Sequence, residues 1–264
     1  MNARRISPLF LLSAGMLLIS ACRPVATAPS PQSTQMPSVL PVTMATQPPA
    51  QPSSGITLDI SAVAQHLTAE SVAAVPGGAD KPYWEAGPEY RLLTLEGYPV
   101  TGNLFKPQIL IYPMADLASA NQAMGKVAAD LQTLLKTKQA ADRLPSLPLI
   151  NAAQILHAQL QYVDFKNGKG VRFLTQFAQG LVPVNNNELV YTFQGLTNDG
   201  RYYIAAVLPV TNPQLPTGSE INAVQADSPD YLSRMVSLLN QQPAESFTPD
   251  LNKLDALIRS MEIK

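Results

Sequence analysis

Residues 156–177 read LHAQLQYVDFKNGKGVRFLTQF, and residues 189–208 read LVYTFQGLTNDGRYYIAAVL. In the first stretch Leu156, Ala158, Leu160 and Tyr162 alternate with His157, Gln159 and Gln161, the period of a strand with one buried face. Lys166-Asn167-Gly168-Lys169 then supplies the Asn-Gly pair favoured where both residues of a tight turn need positive φ. The chain returns through Val171, Phe173, Thr175 and Phe177. In the second stretch Leu189 to Phe193 leads into Asn198-Asp199-Gly200, and Tyr202 to Leu208 comes back. Four consecutive antiparallel strands are the expected consequence.

On the N-terminal side, Ile56 to Ile60 and Glu70 to Val75 read as strands, as do Tyr90 to Leu95 and Gln108 to Tyr112. From Asp116 to Lys136, Leu117, Ala120, Met124, Val127, Leu131 and Leu134 recur at spacings of three and four, which predicts one amphipathic helix packed on the sheet. On the C-terminal side, residues 211–227 carry Pro213, Pro216 and Gly218 and read as a long surface loop. Ser228-Pro229-Asp230 and Thr248-Pro249-Asp250 then open two helices, each with an oxygen-bearing cap and a proline at the first helical position. Leu232, Val236 and Leu239 stripe the first; Leu251, Leu254, Ile258 and Met261 stripe the second. Early strands, a helix, an antiparallel meander and closing helices predict an α+β domain in which helices cover an antiparallel β-sheet.

That domain occupies residues 56–264, 209 residues, enough for one well-buried core. Ahead of it, residues 23–55 hold eight prolines, many Ser, Thr and Gln, and a single charged residue, Arg23. Such a segment cannot bury enough apolar surface to offset its conformational entropy, so 22–55 is expected to be a disordered linker. Residues 1–21 combine Arg4 and Arg5, a mostly apolar run from Leu9 to Ile19, and small residues before a break, which is how a secretory signal peptide is built. The apolar run is too short to remain as a membrane-spanning helix.

The only cysteine ends this signal, within Ile19-Ser20-Ala21-Cys22, a sequence that resembles the lipobox of bacterial lipoproteins. The resemblance implies diacylglycerol on the Cys22 thiol, cleavage just before it, and a mature chain anchored by lipid on the outer side of the cell membrane or at the outer membrane. Two acyl chains give stable attachment where one is marginal. The order of the domain's elements resembles the PsbP-like fold, an antiparallel sheet covered by helices with a C-terminal helix such as that beginning at Leu254. The likeness rests on element order, so it implies no site residues and no activity, although proteins of that fold commonly serve as binding or assembly factors.

Eighteen Lys and Arg oppose 19 Asp and Glu, so no strongly basic surface points to nucleic acid. Loss of the signal removes Arg4 and Arg5 and leaves 16 basic against 19 acidic residues, a side-chain charge of −3 that would not hold the chain to an anionic membrane. One cysteine and two histidines exclude a disulfide framework within the chain, a CxxC site and an HExxH motif, and predict no metal and no cofactor. There is no GxSxG elbow, Walker loop or GxGxxG.

His157 should point away from the main core beside Gln159 and Gln161, and His66 has Asp59 and Glu70 nearby, yet neither has an evident nucleophile. Glu85, Glu89 and Glu96 follow no acid-pair spacing. No catalytic residue is therefore assigned. The cluster that stands out is Lys81 to Tyr90, which places Tyr83, the only tryptophan, Trp84, and Tyr90 in a loop rich in turn residues, where amphipathic rings could contact a ligand or partner. The expectation is a non-catalytic binding or envelope-assembly module whose partners are the membrane, through lipid on Cys22, and an envelope protein or small ligand. Two alternatives are an extracytoplasmic hydrolase using His157 or His66, and a solute-binding lipoprotein with two lobes.

Overall fold

A computed structural model describes residues 55–180, 182–218 and 229–264. The signal peptide, Cys22, nearly all of the linker, Ser228 and the later part of the 211–227 loop lie outside the described residues. Every described residue belongs to one compact unit, Pro48–Lys264.

The elements are β1 (Ile56–Thr57), β2 (His66–Val72), β3 (Tyr90–Glu96), β4 (Gln108–Pro113), α1 (Met114–Ala120), α2 (Gln122–Thr137), β5 (Ala153–Gln154), β6 (Ala158–Phe165), β7 (Gly168–Thr175), β8 (Phe177–Ala178), β9 (Val190–Thr197), β10 (Tyr202–Pro209), α3 (Tyr231–Gln241), α4 (Leu251–Ser260) and β11 (Glu262–Ile263). Seven strands form one antiparallel sheet in the order β2-β3-β4-β10-β9-β7-β6, while β1 pairs with β11 and β5 with β8. The four strands legible from the hairpins make one half, and β10 joins them to the β2-β3-β4 meander through β4.

Helices cover both faces. Alternation sends Leu93, Ile109, Ile111, Phe193 and Ile204 to the face packed by α3 and α4, and Leu92, Leu110, Phe173 and Tyr203 to the face packed by α1 and α2. The central strand β10 is apolar almost without interruption because both of its faces are buried.

Several local expectations are corrected. The first strand stops at Thr57, since only Ile56 and Thr57 find a partner, in Ile263 and Glu262. The second begins earlier than its apolar pattern suggests, at His66, and ends at Val72. The 116–136 stripe is two helices broken at Asn121, whose extended backbone (φ −158°) ends α1 and caps α2. In β6 a bulge at Gln159, with φ +54°, reverses the alternation. Leu156, Ala158, Val163 and Phe165 consequently pack towards α3 and α4, whereas Leu160 and Tyr162 pack on the opposite side.

The β6–β7 turn uses Lys166 and Asn167, with Phe165 opposite Gly168, and no residue in it has positive φ. Asn167 is selected instead by a tertiary contact: its side chain donates to the Ile263 carbonyl and accepts from the Ile263 N–H (3.1 Å), so that it acts as a strand partner for the C-terminus. Asp230 and Asp250 occupy the cap positions of the closing helices, so each proline precedes the cap and does not open the helix as expected; only the Asp250 carboxylate makes the capping bond, accepting from Asn252 N at 2.8 Å.

Candidate functional site

The loop carrying Tyr83 and Trp84 lies between two concave surfaces and leads into β3, whose first residue is Tyr90, a strand residue paired with Val72 and not the loop residue expected. The loop's first turn, Tyr83–Glu85, is a short 3-10 helix in which the Tyr83 and Trp84 rings meet edge to face, with centroids 5.2 Å apart. The break between α1 and α2 holds it in place. The Asn121 side-chain amide donates to the carbonyls of Tyr83 (2.6 Å) and Ala86 (2.9 Å), while its oxygen accepts from Ala123 N (2.9 Å). One side chain therefore caps a helix and clamps the aromatic loop. A Cβ on Gly125 would stand 2.7 Å from Ala118 Cβ, so the two helices can fold back on each other only with glycine there.

Tyr83, 60% exposed, lines a cavity of about 550 Å³ together with Val127, Asp130 and Leu134 of α2, Arg143, and Phe177. Its other wall is the connection from α2 to β5. Two glutamines shape this connection by acting as substitute strands: Gln194 accepts from Leu147 N (2.9 Å) and donates to Leu147 O (3.0 Å), and Gln154 accepts from Leu144 N (2.8 Å) and donates to Leu144 O (3.3 Å). Asp130 is paired with Lys126 at 2.6 Å.

Tyr90 lines the second cavity, of about 570 Å³, at the β2–β3–β4 end of the sheet. Buried Leu93 and Ile111 form its floor, half-buried Arg91 and Tyr202 its walls, and exposed Glu70, Glu89 and Asp116 its rim. Arg91 lies over the Tyr202 ring, 5.5 Å from its centre. Burial raises the Tyr90 phenol above its usual range, and the Glu70 carboxylate raises it further, the mark of a locally negative field. Trp84 is half-buried and lines neither cavity.

The histidines are not brought to a nucleophile: among the described residues neither the imidazole of His66, exposed, nor that of His157, half-buried, makes a side-chain hydrogen bond or ion pair. Glu85, Glu89 and Glu96 also serve separate ends, with Glu89 accepting from Ser71 Oγ (2.7 Å) and Glu96 from Thr68 Oγ1 (2.6 Å). No group of three His, Cys, Asp or Glu among the described residues could hold a metal ion, and no described helix is long and apolar enough to cross a membrane. The single large sheet also differs from the two lobes expected of a solute-binding lipoprotein.

The most reactive-looking polar cluster was not legible in the sequence. Arg172 Nε meets Asp255 Oδ1 at 3.2 Å, Tyr191 donates to the same oxygen at 2.9 Å, and Arg172 also donates to the Gln159 carbonyl exposed by the bulge. Arg172, Asp255 and Tyr191 are 1%, 3% and 0% exposed. Burial first, then the Asp255 carboxylate, pushes the Tyr191 phenol well above its ordinary range, so it stays protonated as a donor. All three side chains are buried, and Asp255 Oδ2 also meets the exposed Arg259 at 3.8 Å, so the cluster ties α4 to the sheet. Comparison with protein-family models, with curated proteins and with solved structures finds no match.

Proposed function

We propose that this chain is a lipid-anchored lipoprotein of the cell envelope, held on the extracytoplasmic side by a lipid on Cys22, and that its α+β domain is a non-catalytic binding or assembly module. The observation that carries the reading is the aromatic segment, with Tyr83, in the loop clamped by Asn121, on one concave surface and Tyr90, at the start of β3, on another. Preorganised aromatic side chains beside cavities lose little entropy on binding. The Ile19-Ser20-Ala21-Cys22 sequence and the proline-rich linker supply the anchor and the reach.

Replacing Tyr83 with a photocrosslinking residue in cells tests this reading. A discrete adduct with an envelope component is expected, and it should be lost in Asn121→Asp, which releases the loop. Crosslinking no different from that of a surface position remote from both cavities would overturn the reading. So would turnover of an extracytoplasmic substrate abolished by His157→Ala or His66→Ala, which would favour a hydrolase.

A further inference from the structure

The two edges of the large sheet are treated differently. At β6 the bulge bends the strand, and backbone groups there already have partners: Gln159 N donates to Asn240 Oδ1 (2.6 Å) and Lys166 N to Met261 O (3.1 Å). At the other edge β2 runs seven residues in unbroken register with β3 and carries no proline, lysine or bulge, the devices that usually close an edge.

The direction of its backbone groups follows from the ladder. Leu95 N donates to Pro107 O (3.0 Å), so Leu95, Leu93 and Arg91 face β4, and Tyr90, Leu92, Thr94 and Glu96 face β2. These stand opposite Val72, Glu70, Thr68 and His66, which leaves the N–H and C=O groups of Leu67, Ala69 and Ser71 pointing outward, without a partner among the described residues. Ala69, Glu70 and Ser71 of this same edge line the 570 Å³ cavity. An open strand edge beside a side-chain pocket is the architecture of strand addition, in which main-chain bonds give affinity and the pocket selects a side chain.

Charge selects the occupant. Glu89 and Asp116 against Arg91 leave the cavity lining at −1, since Glu70 stands opposite Leu92 and its side chain points to the other face of the sheet, and nearby Arg201 is matched by Asp199 at 3.9 Å. A second copy pairing through β2 would bring two such acidic cavities together. We infer that β2 accepts, as an eighth strand, an extended peptide segment bearing lysine or arginine, with one basic side chain seated in the cavity beside Tyr202 and Glu89. This inference rests on the reading of the domain as a binding module and names the class of its partner.

The test uses the full lipidated chain in detergent and three synthetic probes: acetyl-Val-Lys-Val-Lys-Val-amide, its glutamate counterpart, and the lysine peptide with every backbone amide N-methylated. The lysine peptide should bind, and the other two at least about tenfold more weakly. Bound peptide should slow hydrogen exchange at Leu67, Ala69 and Ser71 and leave Thr68 and Glu70, already facing β3, unchanged. Ala69→Pro, which removes one outward N–H, should weaken binding by at least about tenfold; the double change Glu89→Gln and Asp116→Asn should do the same without touching the backbone.

Equal binding of the lysine and glutamate peptides, full binding of the N-methylated peptide, or no exchange protection at the three amides would overturn the inference. So would a dimer whose β2 amides are protected without peptide. An adduct at Tyr83 combined with failure of the lysine peptide would remove strand addition and leave the binding module standing.

Discussion

Asn121→Ala tests whether one residue both ends a helix and holds the aromatic loop. The substitution removes the cap on Ala123 N, worth about 1 kcal/mol. It also removes the bond to the carbonyl of buried Ala86, about 1 kcal/mol, and that to the carbonyl of exposed Tyr83, below about 0.5 kcal/mol because water replaces it. The sum, about 2 kcal/mol, should lower the melting temperature by about 4–8 °C for a domain of this size. Trp84 is the only tryptophan, so acrylamide quenching of its fluorescence reports the loop alone and should rise at temperatures where the rest of the domain is folded. Asn121→Asp keeps an oxygen for the cap and loses the two donors. It should therefore give a smaller melting shift with the same increase in quenching. Unchanged Trp84 quenching in both variants would refute the clamp.

Further outcomes follow from the core. Asp255→Ala should cost about 3–5 kcal/mol in a urea titration, because it strands the Arg172 guanidinium and the Tyr191 hydroxyl without water, whereas Arg172→Met combined with Asp255→Leu should recover much of that loss. Gly168→Ala should prevent accumulation of folded protein, measured as soluble yield, since a Cβ there runs into the Phe165 ring and the Leu196 carbonyl. Burial raises the phenols of Tyr98, Tyr112, Tyr191 and Tyr203 above 10 in the folded state. Below that pH both states are protonated and the full stability is present; above it the unfolded chain releases protons that the folded chain retains, so stability falls as pH rises. By pH 11 each tyrosine contributes a loss of about 1.4 kcal/mol, and equilibrium unfolding followed by tyrosinate absorbance should show these four phenols ionising only with loss of the fold.

Periodicity revealed the hairpins, the three principal helical stripes and the α+β class, because alternation and three-four spacing depend directly on which faces are buried. It failed where a tertiary partner decides the backbone. Gln159 breaks the alternation of β6 because its side chain donates to the Leu239 and Gln242 carbonyls (both 2.8 Å) at the end of α3, a contact between residues some 80 positions apart. Asn121 resembles an ordinary polar residue within a helical stripe, and only the fold shows the loop that it holds.

Buried Asn186 donates to the Asn212 and Leu215 carbonyls and accepts from Asn212 N, joining two loops, a role that nothing in the run Asn185-Asn186-Asn187 signals. At the candidate site the aromatic cluster was visible as composition. The cavities were not, since Arg91 of β3, Asp116 of α1 and Tyr202 of β10 come from three different elements and are gathered only through the order of the strands.

The proposed function depends most directly on the anchor at Cys22. Intact-mass and peptide mass spectrometry of the protein recovered from its native cells measures it directly. The expected product begins at Cys22, lacks residues 1–21 and carries a thioether-linked diacylglycerol. An unmodified Cys22 thiol, or a full-length chain retaining its leader inside the cell, would contradict it.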